Sequence, residues 1–161
     1  MIISSNLKKT LLGAGISVAL FAAGPAFAGQ CPAGKMKAGA RTSGEMAPIG
    51  VTDTELNVVD LGPEISGLDG RRLRLRRLVV QPGGVVPWHD HADRPALIMT
   101  QEGEITEFRS DCSVGIVHKA GEVSKESEGV MHWWKNESAK PTVLIATDIK
   151  NDNVPVKSDN M

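Results

Sequence analysis

The sequence predicts an all-β domain, either a sandwich or a small closed antiparallel barrel. Two observations predict it. Between residues 51 and 150 the chain breaks into short apolar-polar alternating segments, each closed by a turn rich in Gly, Pro or polar residues. No stretch there carries a helical period of useful length.

Residues 1–28 stand apart from this pattern. Lys8 and Lys9 precede an almost wholly apolar run over residues 11–23. Gly24 and Pro25 break that run, and Ala26-Phe27-Ala28 offers a small-x-small cleavage site. This is the layout of a secretory signal peptide. The mature protein is therefore expected to be exported, periplasmic or secreted, with no membrane attachment after cleavage. The apolar run is short for a membrane span.

The leader holds two of the 18 Lys+Arg residues and none of the 19 Asp+Glu residues, so cleavage leaves 133 residues with a net charge of −3. That length gives one domain with one core. That charge argues against nucleic acid as a general partner. The mature chain keeps two cysteines, Cys31 and Cys112. An oxidising compartment permits a bridge between them. The alternative is one buried thiol and one free thiol near the N-terminus.

Residues 29–50 are rich in Gly, Ala, Lys and Pro and poor in large apolar side chains. Such a segment buries too little surface to offset its ordering entropy, so it reads as a mobile lead-in. Strands are expected at 55–61 and 71–80, followed by a turn at Gln81-Pro82-Gly83-Gly84. Further strands follow at 85–91, 96–100, 104–109, 113–119, 129–135 and 142–150, and residues 151–161 read as a polar tail. In the segment 71–80, Leu73, Leu75 and Val79 share one parity and Arg72, Arg74 and Arg76 the other. The leucine parity is taken to face the core. The arginines are then a solvated or edge-protecting face; the opposite orientation would send them into the cavity as an anion clamp.

The chain has four histidines and no tyrosine. His89 and His91 are two apart in a strand, so both imidazoles lie on one face, about 7 Å apart along the backbone. That separation lets two ring nitrogens converge on a metal about 2.0–2.1 Å from each. A lone His-x-His pair is also an ordinary strand feature.

The surrounding residues make the pair more specific. Gly83, His89, His91 and Gly103 carry a spacing that resembles the first motif of the cupin superfamily. Gly121, Gly129, His132 and Asn136 resemble its second motif. The resemblance covers most of residues 51–148. It implies a small antiparallel cupin barrel, of the jelly-roll or double-stranded β-helix kind. It also implies one divalent transition metal held by His89, His91 and His132, a small-molecule ligand or substrate, and pairing of two copies along an exposed strand edge.

Two departures qualify it. The family pattern has a Glu where this chain has Pro95 or Ala96, and a Pro where it has Ser127. Three neutral imidazoles would leave the ion's charge uncompensated and several positions open. Some cupins use such three-histidine iron sites, so the first reading is an Fe-type dioxygenase acting on a small chelating substrate. Mn, Ni or Zn are the other metals considered. The alternatives are a metal-dependent isomerase or lyase, or a non-catalytic small-molecule or metal-binding protein. Asp93 is the candidate substitute carboxylate.

Trp134 and Asn136 share the parity of His132 and are the candidate pocket residues. Trp88 and Trp133 have the opposite parity to their neighbouring histidines and are expected on the outer face or at a subunit contact. His118 lies outside both motifs and is expected to be an exposed strand residue. No catalytic side chain is identifiable: the chain lacks a nucleophile elbow, a phosphate loop and a dinucleotide fingerprint.

Overall fold

The computed structural model describes residues 29–154. The expected leader (1–28) and the end of the expected tail (155–161) lie outside the described residues. The described chain is all β, with strands β1 Ile49–Asp60, β2 Arg71–Asp90, β3 Ala96–Glu102, β4 Glu104–Arg109, β5 Ile116–Lys119, β6 Val123–Glu126, β7 Met131–Lys135 and β8 Thr142–Asn151. They pair antiparallel in the order β5-β4-β7-β2-β8-β3-β6, with β1 added on β2, and curl into a nearly closed jelly-roll barrel. Leu78, Val80, Val86, Ile105, Trp134 and Leu144 form the heart of the core inside it.

β2 organises the barrel. The turn expected at residues 81–84 is a kink within one continuous strand of 20 residues. Gly83 takes φ 74° there, a left-handed value that a side chain would strain. Residues before the kink pair with β1 on one edge and β8 on the other, and residues after it pair with β7. Asn136 pins the kink. Its backbone carbonyl accepts from Gly83 N–H at 2.9 Å, and its side-chain amide donates to the Val80 carbonyl at 2.9 Å.

The orientation of β2 is the reverse of the one expected. Leu73 and Leu75 are 39% and 40% exposed, while Arg76 is 6% exposed and Leu78 and Val80 point inward with it. The cause is β8: Asp148 stands opposite Arg74 in register and is fully buried. It accepts from Nε and Nη2 of Arg74 at 2.9 and 2.7 Å, and from Arg94 at 3.0 Å, while Arg76 lies 3.3 Å away. A buried carboxylate needs cations around it, and that requirement outweighs the burial of two leucines.

Residues 29–50, read from sequence as a mobile lead-in, are tied to the barrel. Cys31 is bridged to Cys112 with 5.7 Å between Cα atoms. Met36 makes a β-bridge to Cys112, and Lys37 N–H donates to the Asp111 carbonyl at 2.9 Å. The Arg41 guanidinium binds the carbonyls of Arg109 and Cys112 and lies over the Phe108 ring. Gly44 lies flat on Trp133, where a Cβ would meet the indole at 2.2 Å. The segment lacks its own core but borrows one face of the barrel, which composition alone does not disclose. At the other end, Asp152 pairs with Arg72 and its amide donates to the Gly70 carbonyl at 2.8 Å, so the expected tail begins anchored.

Candidate metal centre

His89 lies near the end of β2 and His91 just past it, and β7 sets His132 directly opposite His89. All three are buried. His89 Nε2 lies 3.0 Å from His91 Nε2 and 3.2 Å from His132 Nε2. Ligands about 2.1 Å from one ion and at right angles to each other are about 3 Å apart. The two separations from His89 Nε2 therefore match those of neighbouring ligands on one ion.

The tautomers are fixed from behind. His89 Nδ1 donates to the Pro87 carbonyl, His91 Nδ1 to the Arg94 carbonyl and His132 Nδ1 to Glu107 Oε1, each at 2.7 Å. Carbonyls only accept, so the Nδ1 atoms of His89 and His91 carry their protons and their Nε2 atoms present bare lone pairs. The Glu107 carboxylate does the same for His132. Three lone pairs converging at about 3 Å repel unless a cation sits among them. The donor set thus fits a divalent transition metal.

Protonation reinforces this at His89 and His91. Burial, then the neighbouring His132, holds His89 well below the usual imidazole range. Burial, with His132 and Arg94 adding to it, lowers His91 to about 3. Burial also opposes charge on His132, but Glu126 and Glu107 outweigh it and raise its pKa.

Sequence reasoning missed the residues behind His132. Glu107 is fully buried and joins His132 to His118, whose Nε2 donates to Glu107 Oε2 at 2.9 Å. His118, expected to be exposed, is 1% exposed and packs at 4.7 Å on Trp134. Glu126 Oε2 lies 3.2 Å from His132 Nδ1, and Ser124 hydrogen-bonds both carboxylates. Burial opposes ionisation of Glu107, but His118 and His132 hold it below the usual carboxylate range. Burial raises Glu126. The two carboxyl groups are thus pushed in opposite directions.

The missing family carboxylate has a counterpart. Ala96 pairs in register with Glu126 on one side and Asp148 on the other. Both carboxyl groups are buried, one strand away from Ala96 on either side. The protein therefore does compensate part of an ion's charge, through Glu107 behind His132. Asp93, the expected substitute, instead pairs with Arg71 at 2.8 Å and accepts from Asn151 at 2.6 Å at the surface.

Beside the histidines lies a cavity of about 20 Å³, lined by His89, His91, Trp134 and Arg76 among apolar side chains. A single water needs about 10–15 Å³ on this measure. Trp134 lines this cavity, edge-on to His132 at 5.7 Å. Asn136 is not at the cavity; it holds the β2 kink and the turn at Ser138, whose amide donates to it at 2.9 Å. Trp133 lies on the outer face, stacked on Phe108 at 4.3 Å. Trp88 is buried, and its amide donates to the Glu45 carbonyl at 2.6 Å. Arg76 and Arg94 leave three guanidinium nitrogens without partners. An unmet buried donor costs roughly 1–3 kcal/mol.

The antiparallel barrel has the cupin fold, and solved structures share it. The chain is similar to a Thermus thermophilus protein at 17% identity, covering 67% of this chain and 90% of that one with a TM-score of 0.52. It is also similar to a predicted oxalate decarboxylase from Thermotoga maritima at 21% identity, covering 68% and 89% with a TM-score of 0.52. The Schizosaccharomyces pombe Cnp3 cupin domain matches at 11% identity, covering 65% and 64% with a TM-score of 0.50. No protein-family model matches the chain. No curated protein matches it in sequence. The fold is that of a cupin.

Proposed function

We propose that the protein binds one divalent transition metal through His89, His91 and His132, with iron first in order and Mn, Ni or Zn after it, and acts on a small chelating molecule with dioxygen. The observation that carries this reading is the convergence of three Nε2 lone pairs whose tautomers are each fixed by a hydrogen bond from behind. When bound, the metal supplies a Lewis-acidic centre with open positions. The chain's own residues do the rest. Glu107 keeps the His132 Nδ1 proton in place, and Trp134, Val86 and Leu144 wall the cavity against water. The same site would serve an isomerase or lyase that polarises a carbonyl.

The cavity volume narrows the substrate. Space of about 20 Å³ is room for about one water-sized group and excludes a flavonol. That same tightness favours a second reading, a non-catalytic protein that captures metal or a small ligand. The test is elemental analysis, followed by iron loading and O₂ uptake with small diketones and thiols. Turnover supports the enzyme. Stabilisation by an organic ligand without turnover supports the binding protein.

Export is part of the proposal. The leader composition supports it, and so does the Cys31–Cys112 bridge, which an oxidising compartment permits. N-terminal sequencing of the exported protein should begin at Gly29. Pairing of two copies is also part of the proposal, through the outer face that exposes Leu73, Leu75 and Leu97; sedimentation reads it.

A further inference from the structure

Gly29 is buried, although it stands at the start of the described residues. Cys31, two residues on, is bridged to Cys112, which holds this end of the chain against the barrel. A Cβ built on Gly29 would lie 2.8 Å from the Val123 carbonyl oxygen and 2.9 Å from His118 Nδ1. Those distances are too short for a carbon atom. For a nitrogen they are hydrogen-bond distances.

His118 Nδ1 is buried and has no hydrogen-bond partner among the described residues. Nε2 of the same ring donates to Glu107 Oε2 at 2.9 Å, so the neutral ring presents a lone pair at Nδ1. Glu107 in turn accepts from His132 Nδ1. An unmet acceptor thus stands at the outer end of a run of hydrogen bonds that leads to the histidine triad.

Tetrahedral geometry supplies the donor. Turning the Cα–C bond of Gly29 by about 120° carries its nitrogen to the Cβ position, because the N–Cα bond of ~1.46 Å is nearly as long as a Cα–Cβ bond. While a peptide bond joins Gly29 to Ala28, that turn drags the preceding chain with it. A free terminal amine makes the turn alone. We propose that cleavage after Ala28 completes the metal centre from behind: the new amine of Gly29 turns into this position and donates to His118 Nδ1 and to the Val123 carbonyl. Gly29 is then a positioning residue, acting on His132 through His118 and Glu107. The proposal rests on the export and metal readings above and adds what the cut does to the site.

The test compares chains that start at Gly29, at Ala28 and at Gln30, each made by removal of a tag and its first residue confirmed by mass spectrometry. In ¹⁵N-resolved imidazole spectra, His118 Nδ1 should resonate upfield in the Gly29 chain relative to the other two, the shift of an acceptor that gains a donor. After Zn(II) loading, competition against a chelator should show the Gly29 chain holding the metal at least about threefold more tightly than either. His118→Phe should make Zn(II) affinity independent of the starting residue. One Nδ1 position shared by all three chains overturns the proposal alone, and so does equal Zn(II) affinity. An exported protein that begins at another residue overturns the export reading and this proposal together. A Gly29 chain that takes up no metal does the same for the metal reading. The spectra need no substitution, so they decide the matter even if His118→Phe fails to fold.

Discussion

His132 Nδ1 donates to Glu107 Oε1 at 2.7 Å inside the barrel, and this bond fixes which nitrogen of His132 faces His89. Glu107 also takes a bond from His118, so it is held from two sides. Carboxylate–histidine pairs of this kind typically matter 10–100-fold to metal affinity. Glu107→Gln keeps the shape and removes the charge. A competition titration against a chelator should show about that loss in affinity. Affinity within about twofold of wild type would contradict the role given to Glu107.

Acidification should destabilise the metal-free protein. Unfolded imidazoles titrate near 6.5. Folded His89 lies well below that range, and His91 is lowered to about 3. Below about pH 6.5 the unfolded chain takes up protons that these two residues refuse in the fold, so stability falls as pH drops towards about 3. The slope is about 1.4 kcal/mol per pH unit for each imidazole. His132 works the other way: its raised pKa contributes stability below about 6.5, and this is lost as pH rises through the folded value. The His132 contribution is therefore constant below about pH 6.5, and His89 and His91 set the slope there. Thermal unfolding in the presence of chelator should show Tm falling between about pH 6.5 and 4; a flat or rising Tm would contradict this balance.

The histidine triad was legible because it needs only local facts, an i, i+2 pair on one strand face and a motif spacing to a third residue. The residues behind it needed cross-strand information. Glu107 and His118 each follow an inward apolar residue by two, Ile105 and Ile116. Their parity was readable, but that the two meet depends on the β4–β5 register, which sets Ile105 against His118. The orientation of β2 was misread for a related reason. Leucine against arginine is normally decisive for which face is buried, but Asp148, 74 residues away from Arg74 in sequence, reverses the choice. The lead-in was misread because a disulfide and a borrowed barrel face replaced the core it lacks.

The orientation of β2 has its own test. Asp148→Asn would leave Arg74, Arg76 and Arg94 buried around a neutral amide. Breaking such a network from one side costs about 3–5 kcal/mol. Leu75→Thr, on the exposed face, should stay within about 0.5 kcal/mol. Urea unfolding of the two variants reads the contrast. The reverse ranking would mean that the leucines face inward after all.

The bridge between Cys31 and Cys112 spans 81 residues. Closing a loop of that length restricts the unfolded chain by about 4–5 kcal/mol. Replacing both cysteines by serine should lower Tm by roughly 10–20 °C. Unchanged stability, with both thiols free in the wild-type protein, would show that the bridge does not form.

Metal content of the purified mature protein tests the central claim most directly. One divalent transition metal per chain is expected after loading, with at least about a tenfold weaker hold in His132→Ala. Metal that stays well below one per chain after loading, or a His132→Ala variant that binds as tightly as wild type, would contradict the triad as a metal centre.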